Sequence, residues 1–373
     1  MKRVGLIHFN HRMIGNLVGW QDLRGNSWVP NYGDMLVCSA LLQQTAGANT
    51  IATTFGGFLS GKVDYAVLRG STYLFENWDY EAAIKTLDSI DAPVICVGLG
   101  AQHPTADPKF LDGNQLARTF VQKLAEKSKS ISARGEFTAE ILKRLGAKDV
   151  RVTGCPSMFY GRRVPRVEVP DLLLTKYRRL GVSIHSGLSA NIYCRAPADA
   201  LALHGKVIAY AIENGTNCSV FEQGVLAEYD VCDATLPFSE RLTAATVIIK
   251  RIEADATLTP HDLVARMVSV KTIEEWIAKA RDVDAMLGFR FHGNMVAIHQ
   301  GIPALYYTYD SRIEEFVKLY KLPSQDVSAT WVDPIKTIAD HDWSNTNKAI
   351  NACFAELLAF YKENGVTTSL AVT

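Results

Sequence analysis

Short runs of β-branched and other apolar residues alternate with amphipathic stretches along almost the whole chain, and no other feature of the sequence narrows the fold as far. Alternation of that kind builds parallel sheets covered by helices. Strands are expected at Val4–Phe9, Tyr65–Arg69, Val94–Gly98, Ser130–Ala133 and Val150–Thr153. Helices are expected over Asp34–Ala46, Tyr80–Ile90, Gln115–Lys127 and Phe137–Leu145, the last stopped by Gly146 as a left-handed cap. Residues 1–160 therefore read as one doubly wound unit. Tyr160–Arg179 holds two prolines, several arginines and little periodicity, which places a linker at residues 161–179. Residues 180–344 form a second set, with strands at Leu180–Ile184, Cys218–Glu222, Ala285–Gly288 and Ala304–Tyr307. Its helices are expected at Pro197–Asn214, Arg241–Arg251, Thr272–Ala280, Gly293–Gln300 and Arg312–Leu319. A last periodic stretch, Asn345–Lys362 within residues 345–373, is expected as a helix that crosses back to the first unit. The fold class is α/β, with two Rossmann-like doubly wound domains facing a cleft.

At 373 residues the chain exceeds what one hydrophobic core usually serves, in keeping with two domains. Lys plus Arg and Asp plus Glu both total 39, so no global positive field draws nucleic acid, and any anion must be met by local charge. The seven cysteines (Cys38, Cys96, Cys155, Cys194, Cys218, Cys232 and Cys353) are scattered and show neither C-x-x-C nor zinc spacing, the pattern of reduced thiols in the cytosol. The apolar run at the start is broken at His8 and Asn10, too short for a signal peptide, and no stretch approaches the roughly 20 apolar residues of a membrane span. The expected location is cytoplasmic, with peripheral contact at the inner face of a membrane left open. Neither a metal nor a cofactor is expected.

Ligands of open parallel sheets bind outside the carboxyl ends of the strands, so chemistry is sought at the strand-to-helix turns. Gly288-Phe289-Arg290-Phe291-His292-Gly293-Asn294 is one such turn. Arg290 and His292, two apart, can face the same side, and Gly293 lets the backbone come close, a combination suited to an anion held by charge and free helix N–H groups. The plainer alternative pairs Arg290 with a carboxylate and leaves His292 as a helix cap. Ser130-Ile131-Ser132-Ala133-Arg134-Gly135-Glu136 is a second turn of this type. Arg134 either faces the cleft from the opposite domain or pairs with Glu136 or Glu140 on its own helix. Asn31-Tyr32-Gly33-Asp34 opens a helix with Asp34 placed as its cap. The stretch before it, Asn10 to Pro30, is long for a mere connection and is expected to act as a lid or acceptor-binding loop.

Other motifs exclude chemistry. Gly98-Leu99-Gly100-Ala101-Gln102-His103 lacks the third glycine of a dinucleotide turn and does not lie in the first βα unit, and no phosphate-binding G-x-x-x-x-G-K-[ST] occurs. Cys155, followed by Pro156 at a strand end, is expected to be structural. His8, His185, His204 and His261 lack metal spacing and are expected at the surface or in the core.

Read in order, Asn31-Tyr32-Gly33-Asp34, Gly98-Leu99-Gly100-Ala101-Gln102, Ser130 to Gly135, Val152-Thr153-Gly154-Cys155-Pro156-Ser157, Arg290-Phe291-His292-Gly293, Gly301-Ile302-Pro303 and Tyr309-Asp310 resemble the polysaccharide pyruvyltransferase family. The resemblance runs as islands from about Gly33 to Phe316. It implies a fold similar to the two-domain, GT-B-like glycosyltransferases. It further implies phosphoenolpyruvate as donor and a saccharide or lipid-linked oligosaccharide acceptor that gains a pyruvate ketal. The positions matching Arg134, Arg290 and His292 are implied to line the donor site, with Phe291, Gly293, Arg312, Asn31, Gly33 and Gln102 as further substrate-binding residues. Where this chain has Arg312 the family usually carries a lysine, and a planar fork does not replace a point charge at every site. The resemblance does not reach the stretch before Pro30 or the segment Tyr160–Arg179, where acceptor identity is expected to be written.

A site for phosphoenolpyruvate needs at least two cations aimed at one small volume, which Arg134 and Arg290 would supply from opposite domains. His292 is the expected acid that protonates the methylene carbon. Asp34 or Glu222 is expected to take the proton of the acceptor hydroxyl. The rival expectations are a nucleotide-sugar glycosyltransferase on the same architecture and a noncatalytic relative that binds a glycan or phosphate.

Overall fold

The computed structural model describes residues 2–9, 31–45, 49–252 and 257–370; the Asn10 to Pro30 stretch lies outside them. The first half contains, in chain order, β1 (Arg3–Ile7), α1 (Tyr32–Gln44), β2 (Asn49–Thr53), β3 (Tyr65–Arg69), β4 (Thr72–Leu74), α2 (Tyr80–Asp88), β5 (Val94–Val97), β6 (Gly100–Ala101), α3 (Gln115–Lys127), β7 (Ile131–Ala133), α4 (Glu136–Arg144) and β8 (Val150–Val152). Four of its strands pair in parallel in the order β2-β1-β3-β5. The parallel pair β7-β8 continues that sheet through a bridge between Leu99 and Ala133. Buried on both faces, β5 and the first four residues of β3 read as apolar runs in the sequence, with Arg69 closing β3.

The second half contains β9 (Arg179–Ser183), α5 (Pro197–Asn214), β10 (Asn217–Phe221), α6 (Leu226–Cys232), α7 (Phe238–Arg251), α8 (Pro260–Arg266), β11 (Met267–Val268), α9 (Ile273–Ala280), β12 (Ala285–Gly288), α10 (Phe291–Ile298), β13 (Ala304–Thr308), α11 (Ser311–Tyr320), β14 (Ser324–Asp326), α12 (Pro334–Ala339) and α13 (Trp343–Glu363). Six of these strands form a parallel sheet in the order β11-β10-β9-β12-β13-β14. Two parallel sheets flanked by helices and facing one cleft make the two-domain Rossmann-like α/β architecture.

Local chemistry starts the helices. Side chains of Asn31, Asp79, Asn114, Thr272, Asp310 and Asp342 each accept a backbone N–H of the first turn, and Thr259 with Asp262 forms a capping box at α8. The cap of α1 is thus Asn31, in place of the expected Asp34. Helix α1 is buried on nearly all sides and packs against α9, α10 and the turn at Pro156–Arg162. One apolar core runs from Val4 and Leu6 in β1 through α1 to the second sheet, while a second core covers only the outer face of the first sheet.

Helix α13 returns to the first half. Arg151 pairs with Glu356 at 2.9 Å and Glu363 at 2.6 Å, and Tyr361 Oη donates to Gln44 Oε1 at 2.9 Å. Gly146 has φ of 109°, the left-handed stop expected after α4. Several elements were absent from the expectations: β2, β4, β6, β11, β14, α6, α8 and α12. Among the described residues no helix is long and apolar enough to cross a membrane.

Candidate active site

The carboxyl ends of both sheets open onto one cleft of about 360 Å³, and almost every residue lining it follows a strand. Ser71 and Thr72 follow β3, Gln102 follows β6 and Arg134 follows β7. On the other side His185 follows β9, Gln223 follows β10, Arg290 to His292 follow β12, and Tyr309 and Arg312 follow β13. Asn31, Gly33 and Asp34 bring the start of α1 to the floor between them.

Three arginines enter this space, and two of them spend their hydrogen bonds on uncharged oxygens, carbonyls and, for Arg134 Nη1, the Thr72 hydroxyl at 3.4 Å. Arg134 donates from Nε to Gly98 O at 2.9 Å and from Nη2 to Gly70 O at 3.3 Å, with Phe316 under its guanidinium at 5.7 Å. Arg290 donates from Nε to Ile184 O at 3.2 Å. Among the described residues neither has a carboxylate within salt-bridge distance, so the pairing of Arg134 with Glu136 or Glu140 does not occur. Arg312 is only loosely matched, with Nη2 at 3.7 Å from Asp310 Oδ2. Carbonyls orient a guanidinium without neutralising it, so the cleft keeps net positive charge on these walls.

His292 stands among them at the start of α10. Its Nδ1 packs so close to α1 that a Cβ on Gly33 would fall 2.3 Å from it, so only glycine fits there. Its Nε2 lies 3.7 Å from Cys155 Sγ, which also meets Ser157 Oγ at 2.9 Å. Burial, reinforced by Arg134, pushes the imidazole well below its usual pKa of 6.5, which favours the neutral ring. Phe291 stacks flat on Phe316 with ring centres 3.4 Å apart and closes the cleft beside it.

The two expected proton acceptors fare differently. Asp34 lines the cleft, but its carboxylate pairs with Arg69 Nη1 at 2.8 Å and accepts from Ser71 Oγ at 3.1 Å. Burial acts to raise its pKa, yet Arg69 outweighs that and holds the group below the ordinary aspartate value, which makes it a weak base. Glu222 is not in the cleft at all. It is 1% exposed and sits behind Tyr32, 3.1 Å from Tyr32 Oη, accepting from Gly224 N at 3.0 Å. Burial, with Glu228 beside it, pushes its carboxyl up to about 8.

Two further expectations change in detail. Gly293 does not line the cleft; a Cβ there would lie 2.0 Å from Gln223 Nε2 and 2.6 Å from Ser183 Cβ, so its role is to make room for Gln223. Gln102 lines the cleft, but its Nε2 donates to Asp310 Oδ2 at 2.8 Å and so ties the two halves together. His185, expected at the surface or in the core, lines the cleft, as do Asn191, Tyr193 and Gln223, which were not singled out. The rule that located Arg134 and Arg290 at strand ends points equally to the residues after β9 and β10.

A family model described as polysaccharide pyruvyl transferase matches residues 31–311, about three quarters of the chain. No curated protein matches the sequence. Among solved structures, the chain is similar to UDP-GlcNAc 2-epimerase from Neisseria meningitidis, at 9% identity over 100% of this chain and 96% of that one, with a TM-score of 0.42. It is similar also to UDP-GlcNAc 2-epimerase from Methanocaldococcus jannaschii, at 11% identity over 96% and 100% of the chains, with a TM-score of 0.44. The glycosyltransferase SnogD from Streptomyces nogalater gives 12% identity over 96% of each chain and a TM-score of 0.37.

Proposed function

The chain belongs to the polysaccharide pyruvyl transferase family, and from that premise we propose that it moves the pyruvyl unit of phosphoenolpyruvate onto two hydroxyls of a saccharide, forming a ketal and releasing phosphate. What supports this reading most is the pair of arginines, Arg134 and Arg290, that reach one cleft from opposite sheets with uncharged oxygens, the Gly98, Gly70 and Ile184 carbonyls and the Thr72 hydroxyl, as their hydrogen-bond partners among the described residues. Phosphoenolpyruvate carries its carboxylate and its phosphate on one carbon, and such a ligand needs cations converging from more than one side. Arg312 and the free N–H groups at the start of α10 add to the same field.

His292 supplies the acid. Burial and Arg134 favour its neutral form, and the negative charge of a bound donor raises its pKa, so the proton arrives with the ligand. The protonated imidazole delivers that proton to the methylene carbon and leaves C2 electrophilic. A saccharide hydroxyl adds at C2, phosphate departs, and a second hydroxyl closes the ketal. The developing cation at C2 is stabilised by the carboxylate beside it, while the arginines hold the departing phosphate. No divalent metal is needed to neutralise the phosphate in this scheme.

The test is incubation of the protein with phosphoenolpyruvate and a panel of saccharides, reading phosphate release and the mass of the acceptor. Release that needs both substrates, with a pyruvyl gain on the sugar, is the expected result. Consumption of nucleotide sugars with phosphoenolpyruvate untouched would overturn the proposal.

A further inference from the structure

The cleft is divided by chemistry. Its cations stand at the ends of β7, β12 and β13, while the wall beyond β9 and β10 is built from His185, Asn191, Tyr193 and Gln223. Gln223 is 5% exposed, lines the cleft, and its Nε2 has no hydrogen-bond partner among the described residues. Buried amide groups are rarely left unpaired, so this one points to a partner that comes with a ligand. Its position is not accidental, since Gly293 leaves the space and Glu228 Oε2 fixes the Gln223 backbone N at 3.1 Å. Glu228 also accepts from Ser186 N at 3.0 Å and Ser186 Oγ at 2.6 Å, which locks the two loops of this wall together.

His185 presents an imidazole whose Nδ1 is buried and without a partner among the described residues. Its backbone N donates to His204 Nε2 at 3.2 Å, and its ring meets Tyr309 edge-on at 6.4 Å. Burial, then Arg290 and His204, hold the imidazole well below its usual pKa, so the ring is neutral and keeps one nitrogen lone pair that a hydroxyl can donate to. Asn191 Oδ1 accepts Tyr193 N at 3.0 Å, which holds the Tyr193 ring at the cleft. An amide, a phenol ring and a neutral imidazole suit hydroxyls and the apolar face of a sugar ring, and none of them brings the full positive charge that the arginines offer a carboxylate or a phosphate.

We propose that this wall is the acceptor subsite, taking an uncharged pyranose ring, with Gln223 and Tyr193 binding the ring and His185 Nδ1 or its partner nitrogen accepting the proton of the attacking hydroxyl. The inference rests on the donor reading above and fills the place left by Asp34, which is held ionised by Arg69, and by Glu222, which lies outside the cleft. The protons balance. A C–H bond forms at the methylene carbon with the proton of His292, and the acceptor oxygen bonds to C2 as its proton passes to His185. The C2–O bond to phosphate then breaks, and the second hydroxyl bonds to C2. Two hydroxyl protons are lost, one replacing the proton spent on carbon and one leaving on the phosphate, so both imidazoles return to their starting state.

The deciding experiment compares His185→Gln and Gln223→Ala with the wild-type protein by calorimetric titration of phosphoenolpyruvate and by steady-state kinetics against a saccharide that the wild type pyruvylates. For Gln223→Ala the acceptor KM should rise about tenfold, as for loss of a hydrogen bond in a buried polar pocket, with donor affinity within about twofold. For His185→Gln the expected result is a kcat lower by about two orders of magnitude or more, again with unchanged donor affinity. A His185→Gln variant with kcat within about threefold of wild type, or a Gln223→Ala variant that changes donor affinity and leaves the acceptor KM alone, would overturn the subsite. Failure of the wild-type protein to bind phosphoenolpyruvate would instead sink the donor reading, and this inference with it.

Discussion

Arg134 and Arg290 are the residues on which the chemistry turns, because carbonyls fix their direction and leave their charge to a ligand. His292 depends on that charge. Burial and Arg134 favour its neutral form, so donor binding should take up close to one proton, read by titration calorimetry in buffers of different ionisation enthalpy; the His292→Ala variant should lose that uptake. The same variant should lose about two to four orders of magnitude in turnover while its circular dichroism stays that of the wild type. Near-normal turnover would remove His292 as the acid. At Arg312 the planar fork makes no close bidentate pair with a carboxylate, the Asp310 oxygen lying 3.7 Å away. Arg312→Lys, which keeps a cation, should therefore hold the donor KM within about tenfold, and a larger loss would mean that the fork is required. Arg134, Arg290, His292, Gly33 and Asp34 were legible in the sequence because each stands at a strand end or helix start. Glu222 misled for a simple reason: successive residues leaving a strand turn opposite ways, so Glu222 goes beneath Tyr32 while Gln223 faces the cleft.

Among the elements, α1 carries the heaviest constraint, since it is packed on nearly every side and its first turn forms the floor of the cleft. Gly33→Ala should displace His292, whose Nδ1 would meet the new Cβ at 2.3 Å, and lower both kcat and Tm; unaltered kcat would show that the imidazole position is not critical. Glu222 ties α1 to the second sheet, and its pH behaviour follows from its burial. Its carboxyl, ordinarily near 4.5, is raised to about 8, so the folded protein keeps a proton that the unfolded chain has released. That contribution to stability is complete below about 4.5 and is lost as pH rises toward about 8. Glu222→Gln, which mimics the protonated acid, should make the fall of Tm across that range shallower, and parallel curves for the two proteins would contradict it. The interior strands β3 and β5 were readable because burial on both faces forces apolar runs, broken only by Arg69 at the end of β3. The edge strand β2 is Asn-Thr-Ile-Ala-Thr and mostly exposed, and β14 is Ser-Gln-Asp, so neither carries the apolar signal. The short helices α6 and α8 are seven residues each, too brief for their periodicity to separate from a loop.

At the scale of the molecule, two sheets are joined more closely than the alternation in the sequence implies. One core passes from β1 through α1 into the second sheet, α13 returns to the first, and Gln102, His103 and Thr138 bond across to Asp310, Ser311 and Glu315. Scanning calorimetry should therefore show one unfolding transition, and two resolved transitions would mean that the halves fold independently. The same closeness sets cations from separate sheets around a single cleft of about 360 Å³. The most direct test is calorimetric titration of phosphoenolpyruvate against the wild type and against Arg134→Ala and Arg290→Ala, one variant for each sheet. Saturable binding to the wild type, weakened by at least about tenfold in each variant, is the expected result. Binding that survives either substitution undiminished would show that the donor is not held between the two sheets.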